Sequence, residues 1–404
     1  MDTRVYWIWM QQALGAGNPA AGRLLSLFET PAQVYAASPE ERAQAGVSKS
    51  VLERLKNRSL ETARAILEQV LQREQWLLTP DDALYPALLR GLPDLPLVLY
   101  GQGQTLDLDW MPAVAMIGTR SASAYGRAMA HRMAASLAAG GMTVVSGGAV
   151  GIDAACLQAA MEAGGTVVSV QACGLDVNYP AENAGMRRRI LETDGMLVSE
   201  YPPGTPVTPG CFPIRNRLMS GMTLGTCVIE APERSGALIT ARLACEQGRD
   251  VFAIPGAITS PKSGGANELI KRGARLVSDA CEIIGEYQPL YASILDIEAA
   301  ADMQDRIRRE DGKFPESAPE TKPRRKRPAP AKEPMRTQTK QAVAVPEGAS
   351  PLAKRIFEAL TEEPQHIDVL AQNMALPTEQ VLAGLTELEL FGAAQSYAGR
   401  LYSR

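Results

Sequence analysis

Between Ala113 and about Ile284 the chain repeats one pattern: a short β-branched apolar run, a glycine, then a helix-forming stretch. "AVAMIG" leads into "YGRAMAHRMAASLAAG", and "MTVVSG" into "GIDAACLQAAMEAG". "TVVSVQACG", "GMLVSE", "GTCVIEA", "DVFAIPG" and "RLVSD" carry the pattern on, with "GALITARLACEQG" and "ANELIKRGA" among the helical text between them. Apolar runs that do not alternate with polar residues need cover on both faces, and a parallel sheet between two helix layers supplies it. Glycines at nearly every strand and helix end punctuate the units. The expected fold class is therefore α/β, a doubly wound, mostly parallel sheet.

The flanks read differently. Residues 1–80 are rich in helix formers with leucines at helical spacing in "AAGRLLSLF" and "VLERLKNRSLETARAILEQVLQ". Inside them "LGAGNPAAGRLL" resembles a helix-hairpin-helix turn. It reads either as a plain helical packing module or as a hairpin offering backbone N–H groups to phosphate. The proline-bearing stretch 81–111 is expected to connect this front end to the first strand. Residues 300–348 are charged, low in aromatics and proline-bearing, which predicts a disordered linker. Between Lys313 and Lys340 they hold nine basic and three acidic residues, "KPRRKRP" among them. Residues 350–404 promise three helices and a hairpin-like end, the pattern of a winged helix.

Composition narrows the chemistry. The formal charge is -4, and residues 112–284 carry fifteen basic and fourteen acidic side chains, so any nucleic-acid surface there must be a local patch. His131 and His366 are the only histidines, which argues against zinc hydrolysis and Ser-His-Asp catalysis. Six dispersed cysteines without a C-x-x-C pair fit buried thiols in a reducing cytosol. No apolar run reaches membrane-spanning length, and the N-terminus lacks the features of a signal peptide.

In an open parallel sheet ligands sit beyond the carboxyl ends of the strands, so the loops at those ends carry the functional information. The first, "GTRSASAYG", supplies Gly118 for a tight turn, Arg120 as a fixed charge, and Ser121 and Ser123 as helix caps. In the second, "SGGAVGID", Ser146, Gly147, Gly148 and Gly151 form a low-bulk loop ahead of a helix, a candidate anion cradle. Asp153 in that helix's first turn suits the helix dipole as well as a ligand contact. The fourth loop runs through Tyr201 and Phe212, both able to stack a base, into Arg215-Asn216-Arg217. That triplet is either a solvated helix start or a phosphate clamp. Ser235 and Gly236 open a further helix with Thr240 one turn in, and Lys262 lies on the sixth loop. Several cations beside small-residue helix starts suit a phosphodiester backbone rather than one particular base. There is no G-x-x-x-x-G-K-[ST] and no G-x-G-x-x-G, which disfavours a P-loop NTPase and a dinucleotide cofactor. No nucleophile–base pair or paired carboxylate is visible, and neither a cofactor nor a metal is expected.

Six stretches in order over residues 80–285 closely resemble the DprA/Smf DNA-processing family: "IGTRSASAYG", "VVSGGAVGIDAA", "ACGLDVNYPAEN", "LVSEYPPGTPVTPGCFPIRNRLMSGM", "VIEAPERSGALITARLACEQGRDVFAIPG" and "GANELIKRGARLV". The resemblance implies an extended Rossmann-like domain over 81–288, a helix-hairpin-helix or SAM-like front end and a winged-helix tail. It implies a homodimeric, non-catalytic, cytoplasmic protein that binds single-stranded DNA and helps load the RecA recombinase during natural transformation. Carried over by position, the DNA-binding motifs fall on Gly118 and Arg120, on Ser146 to Asp153, and on Arg215 and Arg217. Two departures stand out. Many relatives have a basic residue where Val150 stands and a histidine where Cys156 stands. The main rival, a nucleoside-monophosphate phosphoribohydrolase, would need "PGGxGTxxE" where this chain has "APERSGALITA". A transcription factor acting through the tail is disfavoured by "PTEQVLAGLTELELFG", whose Glu379, Glu387 and Glu389 face no Lys or Arg in that helix.

Overall fold

The structure is a computed structural model that describes residues 2–311, 350–361, 365–374, 376–390, 393–397 and 401–403. It separates into two compact units, Met1–Ser317 and Ala318–Arg404.

The first unit opens with six helices: α1 (Arg4–Leu14), α2 (Ala20–Phe28), α3 (Pro31–Ala36), α4 (Pro39–Ala43), α5 (Lys49–Leu55) and α6 (Glu61–Gln72). Val5, Trp7, Ile8, Trp9 and Met10 are all buried, so α1 is covered on nearly every side, as a helix apolar around its circumference must be. The indole N–H of Trp9 donates to the Asn57 carbonyl at 2.8 Å and that of Trp7 to Asp81 at 2.9 Å. Each ring is thereby buried without an orphaned donor. Arg42 is the unexpected core residue, 1% exposed. Its guanidinium donates to the carbonyls of Val34, Tyr35 and Leu55, tying the ends of α3 and α5 together.

The sheet follows, with strands β1 (Trp76–Leu78), β2 (Leu99–Gly103), β3 (Ala113–Ile117), β4 (Thr143–Ser146), β5 (Val167–Gln171), β6 (Met196–Ser199), β7 (Gly225–Val228), β8 (Asp250–Ala253) and β9 (Arg275–Leu276). The order across the sheet is β1-β2-β6-β5-β4-β3-β7-β8-β9. β3 to β9 are the seven strands read in the sequence, and they pair in parallel. β1 and β2 add an antiparallel edge beyond β6. The interleaved helices are α7 (Ala87–Arg90), α8 (Ala124–Ala139), α9 (Ile152–Glu162), α10 (Ala184–Glu192), α11 (Cys211–Gly221), α12 (Gly236–Glu246), α13 (Gly264–Lys271), α14 (Ala280–Tyr287) and α15 (Ile297–Asp311).

From β3 the chain winds outward through β4 and β5 to β6, then α11 carries it back past β3 to β7. Right-handed crossovers put α8, α9 and α10 on one face and α11, α12 and α13 on the other. The direction of winding reverses between β3 and β7, and that reversal leaves a crevice above their carboxyl ends. Cys156 of α9 lies fully buried in the shared core, which makes that departure a matter of helix packing.

Two boundaries differ from those expected. The front end read as ending near residue 80 already contributes β1 to the sheet. The linker read as starting at 300 is helical as far as residue 311, because Ala300, Gln304 and Ile307 bury one face of α15 against the domain. Charged residues on its other face gave that stretch its polar composition. Residues 312–348 of the linker, with the basic cluster, lie outside the described residues.

The second unit holds α16 (Pro351–Ala359), β10 (Gln365–His366), α17 (Ile367–Met374), α18 (Thr378–Leu390), β11 (Gln395–Tyr397) and β12 (Leu401–Ser403). Its strands form a small antiparallel sheet in the order β10-β12-β11, and Ile356, Phe357, Leu370, Val381 and Leu385 fill its core. This is the winged helix anticipated for the tail. Among the described residues no helix is long and apolar enough to cross a membrane.

Replacing Arg42 by Ala is expected to cost the first unit about 2–4 kcal/mol, since two buried carbonyls and one half-buried carbonyl lose their donor together. A fall in the urea midpoint at unchanged slope checks it. An unchanged midpoint would mean that Arg42 merely occupies space.

Candidate nucleic-acid interface

Four loops meet above the carboxyl ends of β3, β4 and β7 around a cleft of about 390 Å³. Glycines allow the meeting. A Cβ at Gly118 would fall 2.6 Å from the Ile152 side chain, and one at Gly151, whose φ is +91°, would fall 2.5 Å from the carbonyl oxygens of Thr119 and Arg120. The loops after β3 and β4 are thus seated on each other, and Ile152 N–H donates to the Thr119 carbonyl.

The candidate anion cradle has a carboxylate of the chain beside it. Asp153 is buried near the backbone N–H groups of Gly118, Gly147 and Ala149. Burial pushes its carboxyl up, against the pull of Arg215 and those three donors. Ser146, read as part of the cradle, is fully buried and donates its hydroxyl to the Met116 carbonyl at 2.6 Å. Gly148 adopts a φ of +63°, and its carbonyl accepts from the Asn183 amide. The loop therefore folds beside the protein's own carboxylate.

Arg215-Asn216-Arg217 likewise does not present two free cations. All three residues lie inside α11, and positions two apart on a helix point to opposite sides. Arg215 turns toward the sheet, where its Nη1 donates to the carbonyls of Gly147 and Val170, each at 2.6 Å, and its Nε to the Asn216 side chain. A Cβ at Gly147 would overlap that guanidinium, which explains the glycine. Burial holds Arg215 below the usual arginine range, with Asp153 opposing the shift. Arg217 turns the other way, toward the helical front end. It pairs with the buried carboxylate of Glu200 and, at 3.3 Å, with Asp94. The other Glu200 oxygen accepts the backbone N–H of Gly17. The "LGAGN" turn thus seats the front end on the α/β domain, and its Gly17 N–H serves a carboxylate of the chain.

What remains at the mouth is a set of cations without buried partners. Arg120 is exposed, its guanidinium 5.0 Å from the centroid of the Phe212 ring. Phe212 in turn lies 5.8 Å from the Tyr179 ring, an aromatic pair beside the cleft. Lys262 reaches across to donate one bond to the Ser121 carbonyl at 2.6 Å, leaving two ammonium donors. Ser235 caps α12 by accepting from Ala237 N–H, and Gly236 is exposed beside it. The structure also adds Arg234, which sequence reasoning passed over. It is exposed on the lip of the cleft, immediately ahead of the α12 start. Its place just before a Ser-Gly helix start was the available signal. Glu230 closes β7 with a buried carboxylate that accepts from Ser123, so it does not neutralise these cations at the surface. Among the described residues no cluster of His, Cys, Asp or Glu is placed to hold a metal.

The chain is similar to known proteins in sequence and fold. Residues 76–288 match the family model described as DNA recombination-mediator protein A, and residues 339–400 the model described as DprA winged helix domain. Protein Smf of Synechocystis sp. is 32% identical over 406 residues, covering 99% of this chain and 98% of the relative. The DNA processing protein DprA of Streptococcus pneumoniae is 40% identical over 207 residues, 51% of this chain and 72% of that protein. The X-ray structure of DprA from Streptococcus pneumoniae superimposes with a TM-score of 0.61 at 33% identity, over 70% of this chain and 97% of that one.

Arg217→Ala leaves Glu200 buried and unpaired and is expected to destabilise the first unit by about 3–5 kcal/mol. Arg217→Met combined with Glu200→Leu should recover much of that loss, because no charge is then stranded. Urea unfolding of both variants decides it: a single variant as stable as the parent would remove the ion pair from its structural role.

Proposed function

The chain belongs to the DprA family of DNA recombination-mediator proteins, and we propose that it binds single-stranded DNA across the strand-end cleft and helps load the RecA recombinase onto it during natural transformation. The observation that carries this reading is the charge arrangement at one edge. Arg120 and Arg234 line the cleft and Lys262 reaches the Ser121 carbonyl at its edge, while Asp153 is buried and the buried Glu230 carboxylate is bonded to Ser123. A phosphodiester approaching the edge meets cations, the exposed Ser121 and Gly236 and the half-buried Gly118 and Ser235, and few groups able to read a base edge. The rings of Phe212 and Tyr179 beside Arg120 offer a stacking surface that every base can use, which favours unpaired strands.

In this reading Gly118, Gly147, Gly148 and Gly151 shape the edge, Arg215 and Asn216 brace it from beneath, and Arg217 acts at a distance through the fold. No step of bond making or breaking is required of any of them. The protein works as a homodimer that shelters the strand and hands it to the recombinase. The absence of Lys and Arg from α18 makes its tail a surface for a protein partner rather than a reader of duplex DNA.

Fluorescence anisotropy with a labelled dT oligomer and a matched duplex, across a salt series, tests the proposal. The single strand should bind more tightly. Arg120→Ala and Arg234→Ala should each flatten the slope of log K against log salt by about 0.7, the value for one phosphate contact on a single strand. Equal affinity for the duplex, or slopes that neither substitution moves, would overturn it. The recombinase step is read separately, as faster RecA filament assembly on strands the protein has covered.

A further inference from the structure

The cleft has an internal polarity that a sugar-phosphate backbone alone does not use. Its mouth is cationic, with Arg120 and Arg234 exposed. Its depth is different. Asn216 is 8% exposed and Thr240 1% exposed, and both line the cleft. The Asn216 side-chain oxygen accepts from Arg215, which leaves its amide N–H₂ facing outward from that bond. Among the described residues neither that N–H₂ group nor the Thr240 hydroxyl makes a hydrogen bond. The Thr240 hydroxyl does not follow the habit of Thr223, just past the end of α11, which bonds the Met219 carbonyl four residues back. Both polar atoms open only into this cleft, so they are the groups that a ligand seated in it would bond.

The depth offers an anion little. Asp153 lines it, and the one cation there, Arg215, is buried with its Nη1 given to two carbonyls and its Nε to Asn216. A phosphate group is therefore excluded from the floor and held at the mouth. Between floor and mouth the walls are apolar, formed by Ile117, Phe212, Met219 and Ile239. The matching ligand is anionic at one end, flat and apolar on its faces, and neutral but hydrogen-bonding at the other. The geometry points to a seat for a single nucleoside monophosphate, its phosphate at Arg120 and Arg234 and its base or sugar against Asn216 and Thr240. At about 390 Å³ the cleft lies in the size range of small-ligand sites. The same chemistry arrives as a free nucleotide or as the phosphorylated terminal residue of a strand. The inference rests on the proposal that this edge takes nucleic acid, and gives that edge a second, end-on mode of occupation.

Isothermal titration of the full chain with dTMP, thymidine and inorganic phosphate tests it. dTMP should bind, and thymidine and phosphate each about tenfold or more weakly, since each lacks one half of the match. Thr240→Val removes one hydroxyl at nearly constant shape and should weaken dTMP about fivefold, whereas Thr240→Ser should hold the parent affinity. Thermal melting of both variants separates a lost contact from a lost fold. To identify the source, dTMP competes against dT oligomers bearing a 5′-phosphate or a 5′-hydroxyl. Tighter binding of the phosphorylated oligomer assigns the seat to strand ends, and equal binding assigns it to free nucleotides. No measurable dTMP binding, or a folded Thr240→Val chain that binds dTMP like the parent, overturns the inference. If the dT oligomer still binds in that case, single-strand binding stands without the seat. If the oligomer fails as well, the reading of the whole edge falls.

Discussion

The ion pair between Arg217 and Glu200 is where the two architectures of the first unit are joined. Glu200 follows directly on β6, and Arg217 sits in the helix that carries the chain back from β6 to β7. The second Glu200 oxygen holds the Gly17 N–H, and the Glu200 carbonyl accepts from Gln11 of α1 at 2.9 Å. Gln11 in turn accepts the Tyr100 hydroxyl of β2 at 2.7 Å and donates to the Val98 carbonyl. α11 and the Gly17 turn therefore meet at one buried carboxylate, while α1, tied to β2, bonds the backbone of the same residue. Burial pushes the Glu200 carboxyl up, and the neighbouring guanidinium counters it. Such a pair contributes less through net attraction than through the penalty for any arrangement that separates it. It fixes the front end in one position on the sheet, and with it the path of α11.

A second buried arginine, Arg215, does for the strand ends what Arg217 does for the front end. Its Nη1 is given to the Gly147 and Val170 carbonyls and its Nε to Asn216, so it braces the loops from beneath and is not available at the surface. Cations for an incoming anion then have to come from the rim, where hydration makes them inexpensive to keep. Arg120, Arg234 and Lys262 occupy that position. The arrangement separates the charges that build the site from the charges available to a partner.

How far the sequence could be read follows from the same distinction. The seven parallel strands were legible because each is a continuous apolar run, and a run of that kind has one stable setting. The winged helix was legible from its helix spacing and terminal hairpin. β1 was not, since Trp76–Leu78 is only three residues long and gains its pairing from β2, which lies far along the chain. α15 was hidden because its exposed residues outnumber the buried ones that dock it. At the site the glycines were found and their reason was not. They were read as room for a phosphate, whereas Gly147 makes room for Arg215 and Gly151 for the carbonyls of the neighbouring loop. Arg215 and Arg217 look like one motif in the text because they are two residues apart. A helix turns that closeness into opposition, and only the tertiary fold shows that Glu200 waits on one side and Gly147 on the other.

The tail obeys a related logic. Glu387, one of three glutamates that give α18 its acidic character, accepts from both the backbone N–H and the hydroxyl of Ser350. Those bonds hold the Glu387 carboxyl below the usual range. Ser350 is itself the cap of α16, accepting from Ala353 N–H. Part of the acidity that sets α18 apart from a DNA-reading helix is therefore structural, fastening the start of one helix to the side of another. Cations without buried partners gather at the strand ends of the first unit, and in the second the acidic residue Glu387 is spent on joining two helices.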